Sequence, residues 1–227
     1  AAVQDGYQIY HHVFIFTADG RWAVVQQGMN QVTGWARRYH WKGDRLESFI
    51  QEPHTAVCGE PEERVINLVA AESGEARDTS LYLAQRPLEV IKNLKKIEEL
   101  SGRGKLELNL PAAHPVPGAG RIEKTLNRLY DLKPSSYEQL LAVEGVGPAT
   151  VRAFALVSEV VYNARASRRD PVRYSFAHGG KDGHPFPVNR ENYDRSIMLL
   201  ENALRRAKAG RRETVEALKR LALINKM

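Results

Sequence analysis

Residues 175–188, SFAHGGKDGHPFPV, gather His178, Lys181, Asp182 and His184 in a stretch that also holds three glycines and two prolines. That composition describes a constrained loop rich in proton-transfer and phosphate-binding groups. Lys181 suits a phosphate or a transition-state charge. His178 and His184 titrate near neutrality and can act as acid or base, or with Asp182 as metal ligands. A second polar set lies near the N-terminus, with Gln8, Tyr10, His12 and Gln27 on one predicted hairpin face and Asp5, Gln26, Tyr39, His40, Glu52 and His54 nearby in sequence. Within it His12, Gln27, His40, Glu52 and His54 are the candidates for hydrolytic chemistry or for a Mg or Mn site. Both sets also have a plainer reading. The loop side chains can bond their own backbone, and a single histidine is more often structural than a ligand.

Residues 140–157, LLAVEGVGPATVRAFALV, carry chemistry of another kind. An apolar helix end runs into Gly145-Val146-Gly147 and then into a second apolar helix, a pattern that resembles the helix-hairpin-helix DNA-binding motif. Two glycines remove Cβ atoms at the turn, so a phosphate can approach the N–H groups of Val146, Gly147 and Ala149. Pro148 opens the next helix, whose first N–H groups and positive dipole end face the anion. Thr150 and Arg152, in the first turns, join Gly145, Val146, Gly147 and Ala149 as the predicted DNA contacts. The plainer alternative is a helical hairpin with a glycine turn and no ligand.

The elements that must position these groups follow from periodicity. Residues 7–17 and 21–29 are rich in aromatic and β-branched types and flank Asp19-Gly20, a favoured two-residue hairpin turn. Pairing Ala18 with Arg21 sets Phe16 opposite Ala23, Phe14 opposite Val25, His12 opposite Gln27 and Tyr10 opposite Met29. Both faces are apolar toward the turn, which predicts burial in a larger sheet. Further strands are expected at 35–41, 48–51 and 55–57, with 64–71 unassigned. Helical spacing runs through 79–100, with Pro87 as a break or restart. Gly and Pro concentrate in 101–120. Helices are expected near 121–132, 136–143 and 149–162, and from 189 to 225 with a break at Gly210. The expected class is α+β, with an antiparallel β-rich domain followed by an all-α domain. Residues 1–100 form the β-rich part with its following helix, a possible catalytic unit. Residues 101–120 form a linker, and 121–227 a helical DNA-binding domain carrying the hairpin at 136–162.

Charge supports that division. The chain of 227 residues has net charge +6, yet residues 1–120 hold 13 Lys+Arg against 15 Asp+Glu, while 121–227 hold 20 against 12. The basic excess therefore lies in the half with the hairpin, as expected for a module that binds a polyanion. Arg205, Arg206, Lys208, Arg211, Arg212, Lys219 and Arg220 can equally be the solvated face of a C-terminal helix. The single cysteine, Cys58, excludes an intramolecular disulfide and a zinc site built on paired cysteines, and fits a reducing cytoplasm. No apolar run is long enough to span a bilayer.

The strings QDGYQIY, WAVVQQGMN, ARRYHW, EPH, GVGPAT and SFAHGGKDGHPFPV, in this order, resemble the prokaryotic family catalogued as domain of unknown function 763. The similarity spans nearly the whole chain. Members of that family are generally longer at the N-terminus, so the resemblance implies a fragment or a proteolysed form. It implies no activity.

Three functions fit these features. The first is a DNA-processing enzyme of phosphodiesterase type, with metal or histidine activating water and Lys181 or an arginine offsetting phosphate charge. Gln26-Gln27-Gly28 does not supply the Glu-x-Lys of restriction-type nucleases. The second is base excision, since the arrangement resembles repair glycosylases, which place a helix-hairpin-helix before a catalytic Asp, here Asp170; Pro148 stands where lyase-type members of that group carry lysine, which excludes a Schiff base there. The third is a DNA-binding module that recruits a protein partner.

Overall fold

The structure is a computed structural model that describes residues 2–108, 110, 115–173, 190–207 and 210–224. The loop at 175–188, with His178, Lys181, Asp182 and His184, lies outside the described residues. The chain divides into two compact units, Ala1–Ser175 and Phe176–Met227.

The first unit opens with an antiparallel sheet of order β2-β3-β4-β5, formed by Gln8–Phe16, Trp22–Met29, Ala36–Lys42 and Ala56–Cys58. A separate two-stranded sheet pairs β1 (Val3–Gln4) with β6 (Ile66–Asn67). The expected strand at 48–51 is instead a turn in which the Ser48 hydroxyl accepts the N–H groups of Ile50 and Gln51.

The β2–β3 hairpin forms, but one residue out of the expected register. The Thr17 N–H donates to the Arg21 carbonyl at 2.9 Å and the Gly20 N–H to the Thr17 carbonyl at 3.0 Å. The connection is therefore the three-residue loop Ala18-Asp19-Gly20, with Gly20 at φ +83°. Asp19 selects it by bonding both the Thr17 hydroxyl and, at 2.9 Å, the Arg21 Nε–H. Phe16 accordingly faces Trp22, Phe14 faces Val24 and His12 faces Gln26; a bulge at Tyr10 then shifts the pairing, so that Ile9 faces Gly28. The expected burial of the hairpin is also corrected. β2 is an outer strand, and Phe14 and Phe16 are 53% and 71% exposed.

Helices complete the unit: α1 (Gly74–Ala84), α2 (Pro87–Gly102), α3 (Ala119–Leu132), α4 (Tyr137–Ala142) and α5 (Pro148–Tyr162). Pro87 restarts the helical run at the first position of α2, where its missing N–H costs nothing. α5 is buried along Thr150 to Ser158 and forms the hub of the core, touching α1, α2 and α3. Leu83, Leu94, Leu126, Leu140, Phe154 and Leu156 share that core, so helices on either side of residues 101–120 pack together. The result is an α+β fold.

The second unit holds α6 (Arg190–Arg206) and α7 (Arg211–Ile224), which pack on each other and bury Ile197 and Leu221. Among the described residues no helix is long and apolar enough to cross a membrane.

Candidate functional site

The glycine turn is built as follows. Ser136 caps α4 by accepting the Gln139 N–H at 3.1 Å. After α4 the Val146 N–H donates to the Val143 carbonyl at 3.0 Å, closing a β-turn with Gly145 at φ +94°. A Cβ on Gly145 would also press on the Thr125 hydroxyl at 3.0 Å, so glycine is required twice over. Val146 thus spends its N–H inside the turn, a correction to its expected role as a phosphate donor. Gly147, Ala149 and Thr150 remain. Gly147 is extended (φ −128°, ψ −170°) and open space surrounds its missing Cβ. Ala149 and Thr150 lie in the first turn of α5, where N–H groups have no helical acceptor.

This turn lines one wall of a cleft of about 1070 Å³. The sheet face carrying Gln26, Tyr39 and Trp41 lines the other, together with Tyr7, Phe49 and His54. Among the described residues the charged lining is Arg121 and Arg152, with no Asp or Glu. Arg121 is exposed. Arg152 is buried and held, donating to the Gln4 amide oxygen at 2.7 Å and to the Pro115 carbonyl at 2.8 Å, while the Gln4 amide donates to the Pro148 carbonyl at 2.8 Å. Burial and the nearby Arg121 lower the Arg152 pKa. Gln4 of β1 therefore ties the start of α5 to the sheet side of the unit.

Behind the cleft lies an ion network in which one guanidinium faces two carboxylates. Arg37, fully buried, donates to Asp5 at 2.8 Å and to both oxygens of Asp170 at 3.1 and 2.9 Å, and also to the Glu60 carbonyl. Asp5 accepts the Tyr39 hydroxyl at 2.7 Å and the Tyr7 N–H at 3.3 Å. The Arg37 guanidinium lies 4.6 Å from the Tyr7 ring centre. Asp170 accepts the N–H groups of Glu62 and Val172 as well. The network thus fixes Tyr7 and Tyr39, which both line the sheet wall of the cleft. It also engages Asp170, the expected excision carboxylate, with Arg37 and two backbone N–H groups.

Ring contacts run along the same sheet face out of the cleft. Tyr39 meets His54 at 5.7 Å and Trp41 meets His54 edge-on at 5.0 Å. Trp41 meets Phe49 at 6.4 Å, and Phe49 lies parallel to Trp22 at 6.3 Å. Trp22 meets Phe14 at 6.1 Å, and Phe14 meets Phe16 at 5.6 Å. Trp22 lies against Gly43, where any Cβ would collide with the indole.

The five candidate catalytic residues of the N-terminal set do not come together. His54 reaches the cleft, and burial pushes its imidazole down to about 4, so it is neutral at pH 7. His12 is exposed beside Gln26, 3.3 Å from its amide. Gln27 and His40 belong to the opposite sheet face, because side chains alternate and Gln26, Tyr39 and Trp41 face the cleft. Glu52 pairs with Arg169 at 2.8 Å and Arg173 at 3.6 Å. Among the described residues no three His, Cys, Asp or Glu side chains stand close enough to hold a metal ion. Sequence reading missed Arg37, Trp41, Phe49 and Arg121. The alternation in ARRYHW, which sets Arg37, Tyr39 and Trp41 on one face, was the available signal for the first two.

These features define an α+β protein in which a helical hairpin closes a cleft against an aromatic sheet face. The chain belongs to the family described as Protein of unknown function (DUF763), whose model matches residues 1–188. No curated protein and no solved structure matches it.

Proposed function

We propose that this protein binds DNA by its phosphate backbone at the mouth of the cleft and serves in DNA processing. The observation that carries this reading is the charge of the lining, which among the described residues holds two guanidinium groups and no carboxylate, beside Gly147 and the first turn of α5. A helix N-terminus attracts anions through its free N–H groups and dipole, and Arg121 adds a full charge with reach. The amide of Gln26 and the rings of Tyr39 and Trp41 suit the uncharged part of a nucleotide. His54 is the imidazole of the cleft lining, and burial that holds it neutral at pH 7 also makes it a weak base, so His54→Gln tests whether hydrolysis of a phosphodiester uses it.

One assay tests the reading. Labelled single-stranded, duplex, abasic and uracil-containing DNA are incubated with the protein in Mg²⁺, in Mn²⁺ and in chelator. Shifted DNA in any arm supports binding, and no shift in all of them ends the reading. Strand breaks lost in His54→Gln assign hydrolysis to the cleft, whereas base release assigns excision.

A further inference from the structure

The ring file that leads from Tyr39 to Phe16 has an exposed end, and that end is unusual for a strand edge. Phe14 and Phe16 are more than half exposed, as is Phe49 at 52%. Isolated exposed rings are common, but these are in mutual contact and continuous with the cleft wall. Trp22 packs into the space left by the missing Cβ of Gly43 and lies parallel to Phe49 at 6.3 Å in the middle of the file. The inner end opens on a cleft whose ionised side chains are cations and whose other polar groups include neutral amides. An occupant must therefore present flat apolar faces along one part of its length and negative charge at the other.

We infer that the file and the cleft together bind single-stranded nucleic acid, with bases stacked on the rings from Phe16 toward Trp41 and a phosphate beside Arg121. The inference rests on the backbone-binding reading above and adds the strand state. Bases paired in a duplex keep their faces against each other and cannot lie on these rings, whereas unpaired bases can. Every base has such a face, so the file carries little sequence preference.

The test uses the full chain, short oligo-dT and oligo-rU, and a duplex of equal length. Two of the three tryptophans, Trp22 and Trp41, belong to the file, so their emission reports on it directly. Oligo-dT or oligo-rU should quench that emission, and the double variant Phe14→Ala/Phe16→Ala should weaken single-strand affinity about 5-fold or more per ring removed. Both rings are exposed, so the fold should survive; Phe49→Leu, one exposed ring changed conservatively, serves as the second variant. Duplex affinity should change far less. Unquenched tryptophan with unchanged single-strand affinity in both variants overturns the file while leaving backbone binding at the hairpin intact, as does binding of duplex alone. Failure of every nucleic acid to bind overturns both readings. A dimer in sedimentation velocity that the double variant dissociates assigns the rings to a second copy and also overturns the inference.

Discussion

Two arginine sites in the first unit are built in opposite ways. Arg37 is sealed from solvent with Asp5 and Asp170 against it, so its charge is spent inside the protein. Arg121 and Arg152 line the cleft with no carboxylate partner among the described residues, and Arg121 is exposed. The difference teaches where a ligand is to be sought. A buried cation paired with carboxylates holds parts in place, while cations without a carboxylate partner at the start of a helix attract an anion from outside.

Arg37→Met leaves Asp5 buried without its counter-charge and should lower stability by about 3–5 kcal/mol in urea unfolding. A loss under 1 kcal/mol would show the network to be dispensable. Asp170→Asn should act in the same direction, measured as stability and not as lost turnover.

A smaller effect follows from His54. Its folded pKa lies below the unfolded value, so the unfolded chain takes up a proton that the folded chain refuses. Stability from this group is complete above pH 6.5 and declines as pH falls toward 4, by at most about 3 kcal/mol. His54→Phe should flatten part of that decline; an unchanged acid limb would place the sensitivity elsewhere.

Gly147→Glu sharpens the other side. Its extended backbone suits any residue and space is open around it, so stability should stay within about 0.5 kcal/mol. DNA affinity in fluorescence anisotropy should fall about tenfold or more, because a carboxylate would replace the anion. Arg121→Ala should produce the smallest change, a few-fold weaker binding with a salt slope reduced by about one.

The sequence made the local elements readable where periodicity and punctuation agreed. Pro87 marked the restart of α2, Ser136 and Pro148 marked the starts of α4 and α5, and Gly145 marked the turn between them. It misled where a side chain overruled a turn preference. Asp19 bonds Thr17 and Arg21 and so selects a three-residue loop, and that single residue moves His12 from Gln27 to Gln26. The cleft was not readable at all, since it joins Tyr39 of β4 to Gly147 across the fold through Gln4 of β1. Nor was the role of Asp170, whose partner Arg37 lies 133 residues away.

The central claim is that the uncompensated cations of the cleft are there for a phosphate backbone. Titration of labelled DNA into the wild-type protein at several salt concentrations tests it most directly. The expected log–log slope is near −0.9 for each phosphate neutralised on duplex and about −0.7 on single strands, with binding weakened in Gly147→Glu. A flat salt response, or equal affinity in that variant, would contradict it.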